Sequence, residues 1–198
     1  MQVKRLAVLV SGSGSNLQAI VDAIDEGLIP AEIAVVVSNR KEAYGLKRAE
    51  SRGIETCYLG LGNYPDSDER ATKLNEILDE KKVDFIILAG YLSILKASTI
   101  QKYEGRIINI HPSLIPSYCG EGFYGHHVHE AVLANGESKS GATTHFVDEG
   151  VDTGRIIYQE SVDVYSDDTV ETLSKRVLSI EHKLLVKTVR DLCMGQIE

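Results

Sequence analysis

Little in this chain points to a covalent or metal-built framework. Its 198 residues hold three cysteines, Cys57, Cys119 and Cys193, odd in number and far apart. They make neither a disulfide scaffold nor the paired spacing of a zinc site, which places the chain in a reducing, cytoplasmic setting. No apolar run is long enough to span a bilayer, and the short one near the start breaks at a glycine loop before it could serve as a signal segment. Positive charge is scarce as well: 21 Lys and Arg against 29 Asp and Glu leave a net charge of −8. That argues against a nucleic-acid partner or an anionic membrane surface, but not against one local anion pocket. Repeats, low-complexity tracts and linkers are missing. Length and an ordinary composition, 43% hydrophobic and 25% charged, fit one domain over residues 1–198.

What is present is a strand–helix alternation. Residues 6–10 are continuously apolar, as in a central strand buried on both faces. A Ser-Gly-Ser-Gly-Ser-Asn loop follows, then a helix with Leu17, Ile20, Val21 and Ile24 on one face. Strands are expected at 33–37, at 54–59 near an edge, at 83–88 and at 106–111, with helices at 43–52, 66–82 and 98–103 between them. This order predicts an α/β fold, a doubly wound and mostly parallel sheet. The remainder differs: a loop at 117–129, a short helix at 128–135, then strands at 141–147 and 155–164 that are most simply antiparallel. Asp168 and Glu171 form an expected capping box for a long final helix that ends near Cys193.

The stretch Arg-Ile-Ile-Asn-Ile-His-Pro-Ser-Leu-Ile-Pro at 106–116 organises the rest. Asn109 and His111 interrupt an apolar strand two residues apart, so they share a face. An amide can donate to a developing oxyanion, and an imidazole can exchange a proton near neutrality. Polar capping of a strand end is the plain alternative. A third, carboxylate partner is offered by the turn holding Asp148, Glu149 and Asp152; the sharp Asp152-Thr153-Gly154 turn could aim Asp152 inward or could simply stabilise itself. His145 either faces the same site or is a core histidine. His126, His127 and His129 have no companion ligands at metal spacing, so no metal is expected.

Gly12-x-Gly14 after a strand starts like a dinucleotide fingerprint, but Leu17 occupies the third glycine position. Ser38-Asn39-Arg40 also lacks the acid that would hold a ribose, so no NAD is expected. No Gly-Lys-Ser/Thr follows for a Walker loop. A small phosphate site on the Gly14, Ser15 and Asn16 backbone and hydroxyls remains, or only a tight turn.

Taken together, the segments at 10–20, 88–91 (Leu-Ala-Gly-Tyr), 108–114 (Ile-Asn-Ile-His-Pro-Ser-Leu) and 145–154 resemble, in order and spacing, the phosphoribosylglycinamide formyltransferases, folate-dependent enzymes of purine synthesis. The resemblance covers nearly the whole chain. It implies a Rossmann-like fold and 10-formyltetrahydrofolate as co-substrate, with phosphoribosylglycinamide as the other small-molecule substrate, bound by a monomer or homodimer. It further implies that Gly14, Ser15 and Asn16 hold the nucleotide phosphate and that Glu181 contacts the nucleotide. Tyr91, Leu92, Ser93, Ile94 and Leu95 would line the folate pocket, with Asn109 also facing it. Asn109 and a protonated His111 would stabilise the oxyanion, and Asp152 would raise the His111 pKa and organise proton transfer. Residues 1–105 would then be the phosphate-binding half and 106–198 the catalytic and folate-binding half.

Two departures stand out. The 117–129 loop is longer than in the shortest members of that family, and a basic residue near the folate tail is replaced around Asp66-Ser67-Asp68, with Arg70 as a possible substitute. A formyltetrahydrofolate hydrolase using the same Asn/His/Asp site is the alternative function, and a non-catalytic nucleotide-binding module a further one. Methionyl-tRNA formyltransferase is disfavoured by the acidic charge and by the expected end of the chain after its last helix.

Overall fold

The computed structural model describes residues 2–197; Met1 and Glu198, the two ends of the expected domain, lie outside the described residues. Five strands, β1 (Lys4–Val10), β2 (Ala31–Ser38), β3 (Thr56–Tyr58), β4 (Phe85–Leu88) and β5 (Ile107–His111), make the parallel part of one sheet. Two more, β6 (Lys139–Phe146) and β7 (Ile156–Asp163), extend it antiparallel. The strand order is β3-β2-β1-β4-β5-β6-β7. Helices α1 (Ser15–Asp25), α2 (Tyr44–Ser51), α3 (Ser67–Glu80), α4 (Ala97–Lys102), α5 (His126–Ala134) and α6 (Val170–Cys193) surround it. The expected doubly wound, mostly parallel fold with an antiparallel end and a long last helix is the observed one.

The unbroken apolar run in β1 follows from burial on both faces. Leu6, Val8 and Val10 point into one core with Leu17 and Ile20 of α1 and with Leu173, Val177 and Leu185 of α6. Ala7 and Leu9 point the other way, against Leu74 and Leu78 of α3 and Ile100 of α4. The β1 side chains from Leu6 to Val10 are all fully buried, so a strand with period-2 polarity would not fit between the two helix layers. β3, with only three partly buried residues, is the edge that its polarity predicts.

Local corrections concern helix starts. The last helix is capped by Thr169, whose hydroxyl accepts from Thr172 N–H while Thr172 returns the bond. The capping box is therefore one residue later than the expected Asp168/Glu171 pair. Asp168 is instead drawn into a two-pronged ion pair with Arg176 at 2.7 and 2.8 Å and accepts from Tyr165 N–H. The short fifth helix begins at His126 rather than residue 128, because Gly125 at φ +52° turns the chain into it. No helix among the described residues is long and apolar enough to cross a membrane.

Candidate active site

From β1 the chain winds outward to β2 and β3, and from β4 it winds the other way to β5. Between the carboxyl ends of β1 and β4 the winding reverses and a crevice opens, as doubly wound sheets require. It encloses about 540 Å³ and is lined by residues 11–16, 88–95, 109–112 and 120–126, with contributions from the 145–152 segment and from Glu181. Gly14, Ser15, Asn16, residues 91–95, Asn109, His111, Asp152 and Glu181 all border this one crevice, whereas Arg70, His127 and Glu149 do not.

At one end lies the glycine loop. Gly14 caps α1 at φ +71°, and a Cβ there would stand 2.5 Å from Gly45 Cα, so both conformation and packing demand glycine. No side chain caps α1 and no acid sits in its first turn, which leaves the leading N–H groups open to an anion. Asn16 is buried and donates to Glu181 Oε2 at 2.8 Å, while its own Oδ1 has no partner. Burial pushes the Glu181 carboxyl above its ordinary range against the opposing Asn16 hydrogen bond.

At the other end stand the β5 residues. Register pairs Asn109 with His145 and His111 with Thr143 across the antiparallel β6. A bulge between Thr144 and His145 in the β6–β7 ladder falls beside this point, where such irregularities re-aim side chains. Asn109 Nδ2 lies 3.1 Å from His145 Nε2 and 3.3 Å from Asp152 Oδ1. Asp152 Oδ2 lies 3.5 Å from His111 Nδ1 and accepts from Gly120 N–H at 3.1 Å. Asp152 reaches inward from a left-handed backbone, φ +57°, and the turn behind it is so tight that a Cβ on Gly154 would lie 1.8 Å from the Phe146 carbonyl.

Partner chemistry settles the tautomers. His111 Nε2 faces the Tyr118 carbonyl at 2.9 Å and His145 Nδ1 faces the Phe146 carbonyl at 2.8 Å. A carbonyl only accepts, so each of these nitrogens carries a proton. In the neutral rings, His145 Nε2 then accepts from Asn109, and His111 turns its Nδ1 lone pair toward Asp152.

Burial, chiefly, holds the His111 imidazole below its ordinary value; Asp152 and the Tyr118 carbonyl oppose this and His145 reinforces it. The protonated His111 that the resemblance implies opposite the oxyanion is therefore not the resting form. Only 4% of the residue is exposed, and desolvation outweighs one carboxylate at 3.5 Å. For Asp152 burial acts upward, but the neighbouring His145 ring, with Nε2 at 3.5 Å, His111 and the Gly120 N–H together hold the carboxyl below its usual range. The pair at rest is a neutral imidazole beside a carboxylate, with room for one proton between them.

Several participants escaped the sequence reading. His145, which the sequence allows either in the site or in the core, is hydrogen-bonded to Asn109 in the cluster. The long 117–129 loop supplies the Tyr118 carbonyl and the Gly120 N–H; nothing in its glycines signals which amide will point inward. Arg70 donates to the Tyr64 and Pro65 carbonyls, closing its own loop. His127 pairs with the exposed Glu130. No group of three or more His, Cys, Asp or Glu among the described residues is placed to hold a metal.

Comparison with known proteins agrees with this architecture. The family model described as formyl transferase matches residues 4–189. The chloroplastic phosphoribosylglycinamide formyltransferase of Arabidopsis thaliana is 42% identical over 196 residues, covering 98% of this chain and 67% of the relative. The phosphoribosylglycinamide formyltransferase of Haemophilus influenzae is 37% identical over 195 residues, covering 98% and 90%. The crystal structure of glycinamide ribonucleotide transformylase 1 from Symbiobacterium toebii superposes with a TM-score of 0.91 at 40% identity, covering 98% of this chain and 89% of that one. The chain spans 62% of the Vigna unguiculata relative and 19% of the bovine trifunctional purine biosynthetic protein. Since the match runs through the glycine loop, the Asn109/His111 strand and the Asp152 turn alike, the chain belongs to the formyl transferase family.

Proposed function

We propose that this chain transfers the formyl group of 10-formyltetrahydrofolate to the amine of 5-phosphoribosylglycinamide, giving formylglycinamide ribonucleotide and tetrahydrofolate in purine synthesis in the cytoplasm. The single observation that carries this reading is the meeting of Asn109, His111 and Asp152 in a crevice whose other wall is the open start of α1. A phosphorylated substrate seated at Gly14, Ser15 and Asn16 would extend toward that cluster, with Glu181 beside it. Residues 91–95 would seat the folate; Leu92 and Ile94, 44% and 72% exposed, offer apolar surface to its ring. Residues 1–198 then act as one formyltransferase domain, with the phosphate loop in 1–105 and the catalytic groups in 106–198.

The chemistry follows from the resting protonation states. The substrate amine attacks the formyl carbon, and the carbonyl oxygen becomes an oxyanion. Asn109 has both Nδ2 hydrogens engaged, and the weaker bond, 3.3 Å to Asp152, is the one to exchange for the oxyanion. The attacking nitrogen becomes cationic and loses a proton to the His111–Asp152 pair, directly or through water. The resulting imidazolium, held between Asp152 and the Tyr118 carbonyl, matches the oxyanion's charge. Collapse breaks the bond to the folate nitrogen, which takes a proton back, so no net proton is consumed. No protein nucleophile is needed.

The test is an assay with each substrate omitted in turn. Tetrahydrofolate release that requires both substrates supports the proposal. Equal release without the nucleotide would instead identify a hydrolase.

A further inference from the structure

A second hydrogen-bonded system borders the crevice and takes no part in the steps above. Buried Ser11, at the end of β1, donates its N–H to the Gly90 carbonyl at 3.0 Å. Its hydroxyl accepts from Leu92 N–H at 2.8 Å and donates to Asn39 Oδ1 at 2.6 Å. Asn39 Nδ2 then donates to Ser93 Oγ at 2.5 Å. One side chain at the end of β2 thus joins the residue that opens the glycine loop to the turn after β4.

Asn39 is itself held. Ser38 Oγ accepts from Arg40 N–H at 3.0 Å, and the Ser38 carbonyl accepts from Leu59 N–H at 2.8 Å. A Cβ on Gly60 would come within 2.4 Å of the Asn39 carbonyl, so a glycine there lets the chain close over it. Asn39 does not line the crevice, whereas Ser11 and Ser93 do. Its amide accepts from one hydroxyl and donates to the other at once, a pattern that an acceptor-only carboxylate in its place would not offer.

We infer that Asn39 is a positioning residue for the formyl-donor pocket: by bridging Ser11 and Ser93 it fixes the 91–95 turn against the phosphate-binding loop and so sets the separation of the two substrates. This rests on the reading that residues 91–95 seat the formyl donor. A turn released from this bridge is no longer pre-organised and holds the donor less tightly, while the nucleotide seat stays in place.

The experiment combines kinetics and amide hydrogen exchange on the full chain carrying Asn39→Ala. The KM for the formyl donor rises about tenfold, as expected for the loss of two modest hydrogen bonds, while the KM for the nucleotide stays within about twofold. Exchange at the Leu92 amide accelerates, and exchange in β1 does not. Ser93→Ala, which removes only one arm, shifts both readouts the same way by less and serves if Asn39→Ala folds poorly. Unchanged Leu92 exchange, or an equal rise in both KM values, overturns the inference. Faster Leu92 exchange with an unaltered donor KM also overturns it, and places the fault in assigning residues 91–95 to the donor; two-substrate turnover by the unmodified chain would still support formyl transfer.

Discussion

Asp152 and His111 stand 3.5 Å apart, carboxylate oxygen to ring nitrogen, and both are almost wholly withdrawn from solvent. At that separation they are not hydrogen-bonded at rest, and the imidazole is neutral because burial outweighs the neighbouring charge. A proton delivered to His111 would turn this into a charge-assisted contact, which is the state that the proposed reaction calls for.

Asp152→Asn keeps the shape of the turn but removes the charge that would stabilise an imidazolium. The expected result is a fall in kcat of about 10²-fold or more, with a change in Tm of only a few degrees. Asn109→Ala is expected to lower kcat by a comparable factor. Steady-state kinetics beside thermal melts check this; a kcat loss that merely followed unfolding would refute the assignment.

Glu181 and Asn16 respond unequally to substitution. Asn16→Ala removes the one hydrogen bond to a buried carboxyl, and is expected to lower stability by about 1–3 kcal/mol and to weaken nucleotide binding. In Glu181→Gln the site keeps an uncharged oxygen that can still accept, and burial already opposes the carboxylate charge, so stability should change little while nucleotide KM rises. Denaturant titrations and KM measurements on the two variants separate these outcomes.

His129 ties stability to pH. It is 3% exposed, its Nδ1 has no partner, and burial, with His126 and His111 nearby, depresses its pKa from 6.5 to about 4. The unfolded chain therefore binds a proton that the folded chain refuses between those two values. Stability rises with pH across that window and is lost as the solution is acidified through it. His129→Gln cannot titrate there. Its Tm is expected to fall less steeply than that of the unmodified chain between about pH 6.5 and 4, as read by melts across a pH series.

Gly154→Ala tests the turn that presents Asp152. The added carbon would meet the Phe146 carbonyl at 1.8 Å, a backbone contact that no rotamer relieves. The turn must shift, and kcat should fall more than either KM rises. Retention of full activity would show that the Asp152 position is not set by this contact.

Much of the plan was legible because local physics writes it plainly. A strand buried on both faces, such as β1, must be apolar throughout. Helices between strands force parallel pairing, and polar residues two apart in a buried strand must share a face, as Asn109 and His111 do. Element ends are less legible: Thr169 and Asp168 can each cap the last helix, and the pull of Arg176 on Asp168 decides between them.

Residue types and the order of the elements alone determined the doubly wound sheet, a glycine turn leading into α1 and the presence of an amide and an imidazole at one strand end. Tertiary structure decided the rest. It set Asp152, of three acids, beside His111 and Asn109 while Asp148 accepts from Gly150 and Thr153 of its own turn and Glu149 from Gln101, seated His145 against Asn109 through antiparallel register, and made His111 neutral by burying it. Pairing across distant strands and desolvation are properties of the folded interior, and no stretch of the chain carries them by itself.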